Sequence, residues 1–203
     1  TEYAYKSKSE GGIWEEGDLR RDESIRYDFT YLGITPTEVS WGADELDPHI
    51  KKYEDERTDQ FNGNLANEWY SGKNFIVLRY ADVLLCYAEC LNELGETGEA
   101  NTVVNQVRAR AWGGTLPNEM AWNYGQDEFR VQIMDERIRE LCFEGWRRMD
   151  LIRTGKFVEL IKERNPWAKK SGTIKEFHMR WPIPDTEIKN NSDISEEDQN
   201  PGY

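Results

Sequence analysis

Long apolar runs are missing from this chain. No stretch approaches the ~18 consecutive apolar residues that a bilayer-spanning helix needs. The opening "TEYAYKSKSEGGIWEEGD" has no hydrophobic segment of the kind a signal peptide carries, and it reads as the interior of a longer protein. Cysteine is scarce: Cys86, Cys90 and Cys142 make an odd three and form no disulfide framework. Histidine is scarcer, and His49 and His178 stand isolated, without zinc-ligand spacing. A glycine-rich phosphate loop and a nucleophile elbow are also absent. Positive charge is short as well, with 26 Lys and Arg against 39 Asp and Glu for a net charge of −13. The excess acid is shared: residues 1–78 carry nine cations against seventeen acids, and residues 79–203 carry seventeen against twenty-two. Such a field repels a phosphate backbone, so no nucleic acid is expected as a partner.

Aromatic surface, by contrast, is plentiful. Only 37% of residues are hydrophobic and mean hydropathy is −0.86, yet there are eight Trp, ten Tyr and seven Phe. That combination describes a folded, loop-rich protein rather than a disordered one. Residues 1–75 lack sustained periodicity and form a loop-rich segment, in which the alternating "IRYDFTYLGI" at 25–34 predicts a strand. Residues 76–203 form a helical region. There, Ala81, Leu84, Leu85, Ala88 and Leu91 recur at helical spacing, while Tyr80, Val83, Tyr87 and Leu94 make a second stripe. A helix apolar on two sides is sandwiched between neighbours. Gly95 ends it, Thr97 can cap the next helix, and Ala100, Val103, Val104, Val107 and Ala111 line one face of that helix. The pair predicts a tetratricopeptide-like hairpin, with small Ala88 and Ala100 at the close approach. Cys86 and Cys90, one turn apart on its first helix, read either as buried free thiols or as a redox or metal pair. A third helix is expected from about Glu128 to Gly145, a fourth near Trp146 and a fifth over "KFVELIKER". Pro166, Gly172, Pro182 and Pro184 then break the chain into loop, with one helical turn at "DTEIKN". The fold class is mainly α, with an irregular C-terminus.

Chemistry concentrates in "ERIRELCFEGWRRMDLIRTGK", residues 136–156, which holds ten charged side chains. Glu136, Glu140 and Glu144 fall at i, i+4 and i+8 on one helix face and require cations opposite them. Arg79, Arg108, Arg110, Arg139, Arg147 and Arg148 are available. The plain reading is a structural ion-pair network of Arg79, Glu136, Glu140, Glu144, Arg147 and Arg148. Paired carboxylates for glycoside hydrolysis are the alternative, although acids held by arginines make poor proton donors. An anion site is a third reading, because residues 147–180 hold ten Lys/Arg against four Asp/Glu. Trp14, Trp41, Trp69, Tyr70, Trp112, Trp122 and Tyr124 sit in polar contexts outside the core periodicity. Their flat faces suit either packing against their own loops or the apolar face of a sugar ring.

"LRYADVLLCYAECLNELGE", "ANTVVNQVRARA", the 136–156 stretch, "WPIPDTEIKNN" and the terminal "QNPGY" together resemble the C-terminal half of the SusD/RagB family over about residues 40–203. The resemblance implies a non-enzymatic, nutrient-binding outer-membrane lipoprotein at the surface of Bacteroidota-type bacteria. It implies an oligosaccharide or polysaccharide ligand, no cofactor, a SusC-like TonB-dependent transporter as partner, and a lipid anchor outside this chain. Family members are about twice this length or more, so the chain reads as a fragment. In that family, ligand contacts come from variable loops, which points to Trp41, Trp69 and Tyr70 as the glycan-binding candidates. A peptide- or protein-binding module of the same kind of complex is the alternative reading, and a glycoside hydrolase the remote one.

Overall fold

The computed structural model describes residues 6–26, 48–53 and 73–203. Of these residues 57% are helical and 3% strand, so the chain is mainly α. They divide into two compact units, residues 2–147 and 148–203.

The first unit opens with a turn in which the Lys8 N–H donates to the Trp14 carbonyl at 2.6 Å. Helix α1 (Arg20–Ser24) leads into strand β1 (Ile25–Arg26), which pairs antiparallel with β2 (His49–Ile50), Ile25 opposite Ile50. The strand expected over 25–34 is therefore seen at its start, and residues 27–34 lie outside the described residues. Ile13, Trp14 and Ile25 form a small core against Ile138 and Cys142.

Helices α2 (Tyr80–Glu93) and α3 (Thr97–Ala111) make the hairpin. Its turn depends on Gly95, whose φ of +89° lies where a side chain is disfavoured. Glu96, not Thr97, takes the N-cap position; Thr97 is already helical, and its hydroxyl donates to Asn92 Oδ1 at 2.9 Å instead. Leu85, Ala88 and Leu91 from α2 and Ala100, Val103, Val104, Val107 and Ala111 from α3 are buried. The second stripe departs from expectation. Both α3 and α4 (Gln126–Leu141) pack against α2, and Tyr80, Val83, Tyr87 and Leu94 remain exposed, Tyr80 at 73%. Cys86 and Cys90 lie on this open side and are exposed rather than buried.

Helix α4 stops at Leu141, short of the expected Gly145. Phe143 adopts a left-handed φ of +65° and Gly145 one of +87°, which ends the helical hydrogen-bond ladder. Glu144 thus lies in the turn beyond the helix that carries Glu136 and Glu140.

Between α3 and α4 the loop is strapped down by a ladder that periodicity does not reveal. Asn101 Nδ2 donates to the Tyr124 carbonyl at 2.9 Å while its Oδ1 accepts from the Tyr124 N–H at 3.1 Å. One turn on, Asn105 repeats the clamp on Trp122 at 3.1 and 2.8 Å. Arg108 then reaches the Met120 carbonyl at 2.8 Å. Each amide imitates a β-strand neighbour and satisfies a loop backbone that has no strand to pair with. Trp122 is consequently buried, edge-on to Phe129 at 5.6 Å.

The second unit contains most of α5 (Arg147–Arg153), then α6 (Phe157–Arg164), α7 (Pro166–Ser171) and α8 (Asp185–Asn190). Pro166 starts a helix instead of breaking one: Asn165 Oδ1 accepts from the Trp167 and Ala168 N–H groups at 3.0 and 3.2 Å, and proline fits the first helical position. "WPIP" at 181–184 lacks two backbone donors and is tied instead by "QNPGY". Gln199 accepts from the Ile183 N–H at 2.8 Å and donates to its carbonyl at 3.0 Å, Asn200 donates to the Trp181 carbonyl at 2.7 Å, and the Tyr203 hydroxyl donates to the Arg180 carbonyl at 2.9 Å.

Candidate functional site

The densest cluster of charge lies inside the first unit, on the buried face of α4. Glu136 is 0% exposed. Its carboxylate accepts from Arg20 Nη1 at 2.7 Å, Arg108 Nη1 at 2.9 Å, and Arg139 Nη2 and Nε at 2.7 and 3.0 Å. Glu140, one turn on, meets Arg20 at 3.0 Å together with Arg79 and Arg110. Glu144 accepts from Lys52 Nζ at 2.6 Å and from Arg79 Nε at 2.9 Å. Asp18 holds the other edge of Arg20 through a two-point contact at 2.6 and 2.9 Å, and Glu15 pairs with Arg108 at 2.5 Å.

Such an arrangement suppresses proton donation. Burial opposes ionisation of Glu136, but the guanidiniums of Arg20, Arg139 and Arg108 outweigh it and hold the carboxyl far below the usual carboxylate range. The same contest lowers Glu140, where burial is overcome by Arg20, Arg79 and Arg110, and Glu15, where Arg139 and Arg108 prevail. A glycosidase acid needs the opposite shift. The network therefore works as a clamp that joins α1, the residue preceding α2, α3, β2's flank and α4.

Of the expected network residues, Arg79, Glu136, Glu140 and Glu144 are brought together. Arg148 is not among them: Nη2 donates to the His178 and Met179 carbonyls at 2.8 and 3.3 Å, and the guanidinium lies 4.9 Å from the Phe157 ring centre and 4.3 Å from that of Trp181. Arg147 Nη1 donates instead to the Met134 carbonyl at 3.1 Å, on the middle of α4. Sequence reasoning missed Glu15, Asp18, Arg20 and Lys52, because they come from irregular segments with no period to mark them. Arg137 adds a separate pair to Asp82 at 2.9 Å.

The aromatic candidates separate as well. Trp14 and Trp122 are core residues, whereas Trp112 and Tyr124 are half-buried. Arg108 lies 5.0 Å from the Trp112 ring centre. Trp41, Trp69 and Tyr70 lie outside the described residues. Among the described residues, no group of three or more His, Cys, Asp or Glu could hold a metal ion, and no helix is long and apolar enough to cross a membrane.

A helical hairpin is braced by an arginine–glutamate clamp in which Glu15, Glu136 and Glu140 are held ionised, so the charge-rich motif is engaged in internal pairing. The SusD family model matches residues 2–203, and the chain belongs to that family. Its members are binding proteins rather than enzymes. SusD-like protein P38 of Formosa agariphila is 41% identical over 155 residues, 73% of this chain and 28% of that protein. Starch-binding protein SusD of Bacteroides thetaiotaomicron is 28% identical over 159 residues, 76% of this chain and 26% of that one. Among solved structures, a SusD homolog from Bacteroides thetaiotaomicron superposes with a TM-score of 0.66 at 26% identity, covering 92% of this chain and 41% of that one. B. fragilis NanU gives 0.59 at 25% identity, with 94% and 37% covered. The chain spans between 25% and 30% of the length of the curated relatives it matches.

Proposed function

We propose that this chain is part of a non-enzymatic glycan-binding lipoprotein of the outer membrane, displayed at the cell surface of a Bacteroidota-type bacterium. It captures oligosaccharides and delivers them to a SusC-like TonB-dependent transporter, with its lipid anchor outside residues 1–203. The observation that carries this reading is the family match over residues 2–203, joined by a relative named as starch-binding. The depressed carboxyls of Glu136 and Glu140 support it, since a carboxyl held ionised serves poorly as a proton donor. Trp41, Trp69 and Tyr70 supply the ring-stacking surface in this proposal.

Titration calorimetry of the full-length protein against plant, host and microbial oligosaccharides tests it. Binding with unchanged sugar is expected, weakened about fivefold by Trp41→Ala, Trp69→Ala or Tyr70→Ala. Absence of binding across the panel counts against it.

The exposed stripe of Tyr80, Val83, Tyr87 and Leu94 on α2 favours a second reading, a peptide- or protein-docking module of the same kind of complex. Under that reading, peptides bind where sugars fail, and Tyr87→Lys abolishes the interaction.

A further inference from the structure

The open side of α2 has the make-up of a core. Tyr80, Val83, Tyr87, Cys90 and Leu94 are all exposed and fall at i, i+3, i+7, i+10 and i+14, the alternating three-and-four spacing by which one helix seats another. Over the length of α2 this seam runs ~21 Å, room for about four turns of a second helix. No charge interrupts it. The three charged residues of α2 are drawn instead to arginines of α4: Asp82 to Arg137 at 2.9 Å, Glu89 to Arg137 at 3.7 Å and Glu93 to Arg130 at 2.7 Å. Cys86 flanks the seam, so two free thiols stand in the open, although free cysteine is among the most consistently buried residue types. Val77 and Leu78, just before α2, are exposed as well.

We infer that this seam is an internal contact of the whole protein, covered by an α-helix from the part of the same polypeptide that lies outside residues 1–203. A helical hairpin cannot bury both sides of its apolar surface alone and needs a stacked neighbour. There is chain enough to supply one, because the match covers only 41% of the SusD homolog and 37% of NanU. A second copy fits the seam poorly, since each chain carries a net −13 and face-to-face pairing would set like charge against like. The seam also suits a permanent contact better than a separable partner: an uncharged row of aromatic, aliphatic and thiol side chains resembles a domain core cut in half. The inference goes beyond the glycan-binding reading, and it removes the free surface on which the docking-module reading rests.

The test uses the purified full-length protein. Under native conditions Cys90 should react with iodoacetamide about a hundredfold more slowly than in urea, read by mass spectrometry of its peptide. Reaction at the unfolded rate overturns the inference, because the face is then open. Tyr87→p-benzoylphenylalanine, illuminated in dilute solution, identifies the occupant. A crosslink to a peptide from outside residues 1–203, within a band of monomer mass, is expected. A crosslink joining two copies, one confined to residues 1–203, or none at all overturns the inference. Val83→Lys should lower the urea midpoint of the full-length protein, whereas an unchanged midpoint contradicts burial of the seam. If that variant does not fold, thiol protection in the wild type still decides the matter. None of these readouts depends on sugar, so failure here leaves the glycan-binding reading standing.

Discussion

Replacing Glu136 with Gln should unfold this protein more effectively than almost any other one-atom exchange in it. The carboxylate accepts four hydrogen bonds from three arginines at 2.7–3.0 Å and has no access to solvent. A carboxamide keeps one acceptor oxygen and turns an NH2 group toward a guanidinium, so at least one donor of Arg20, Arg108 or Arg139 loses its partner. Charge balance worsens too. Among the described residues, Glu15, Asp18, Glu136, Glu140 and Glu144 face Lys8, Lys52, Arg20, Arg79, Arg108, Arg110 and Arg139, five acids against seven cations, and the exchange makes it four against seven. Breaking a buried pair from one side typically costs about 3–5 kcal/mol, a large part of the ~5–15 kcal/mol that holds a domain folded. Urea unfolding should show a lower midpoint with an unchanged slope. The control is Glu93→Gln, which breaks the two-point bond to Arg130 at 2.7 and 2.8 Å on the surface and should leave the midpoint where it was. If the Glu136 variant moved the midpoint no further than the Glu93 control, the clamp would not be holding the fold.

Acid should act on the same residues. Glu136, Glu140 and Glu15 ionise at lower pH in the folded chain than the ~4.3 of an unfolded glutamate, so their contribution is complete above that value and fades as pH falls below it toward the folded values. Urea midpoints measured across that range should drop steeply for the wild type and less steeply for Glu136→Gln. Asn105→Ala removes both bonds to Trp122 and should cost about 1–3 kcal/mol, with Trp122 fluorescence reporting a loosened loop before global unfolding. Gly202→Ala would place a methyl carbon 2.4 Å from Phe177 Cγ, so the ring contact between Phe177 and Tyr203 at 5.1 Å should be lost, seen as changed ring-proton shifts in NMR.

Much of the hairpin is legible in its letters, because Leu85, Ala88, Ala100, Val104 and Val107 repeat at the period of a helix that buries one face. The open side of α2 is not, since Val83 and Tyr87 carry the same periodicity as core residues and periodicity does not say whether a neighbour covers them. The clamp is half legible. Glu136 and Glu140 announce a need for cations by their spacing, and Arg79, Arg108 and Arg110 answer it, but Arg20 and Lys52 reach it from segments whose positions only tertiary structure sets. Phe143 shows the same limit at a single residue: its left-handed backbone ends α4 early, although nothing in phenylalanine favours that conformation. Trp14 and Trp122 look like binding aromatics in sequence, and their burial comes from the turn at 7–14 and the Asn101–Asn105 ladder.

In the proposed function the charged motif braces a protein that binds sugar without changing it. Incubating the full-length protein with oligosaccharides it binds, then recovering and sizing them by chromatography, separates binding from turnover. Intact sugar is expected from the wild type and from Glu140→Gln, the latter losing stability. Cleavage products from the wild type that vanish in a folded Glu140→Gln variant would contradict a purely structural role for Glu140.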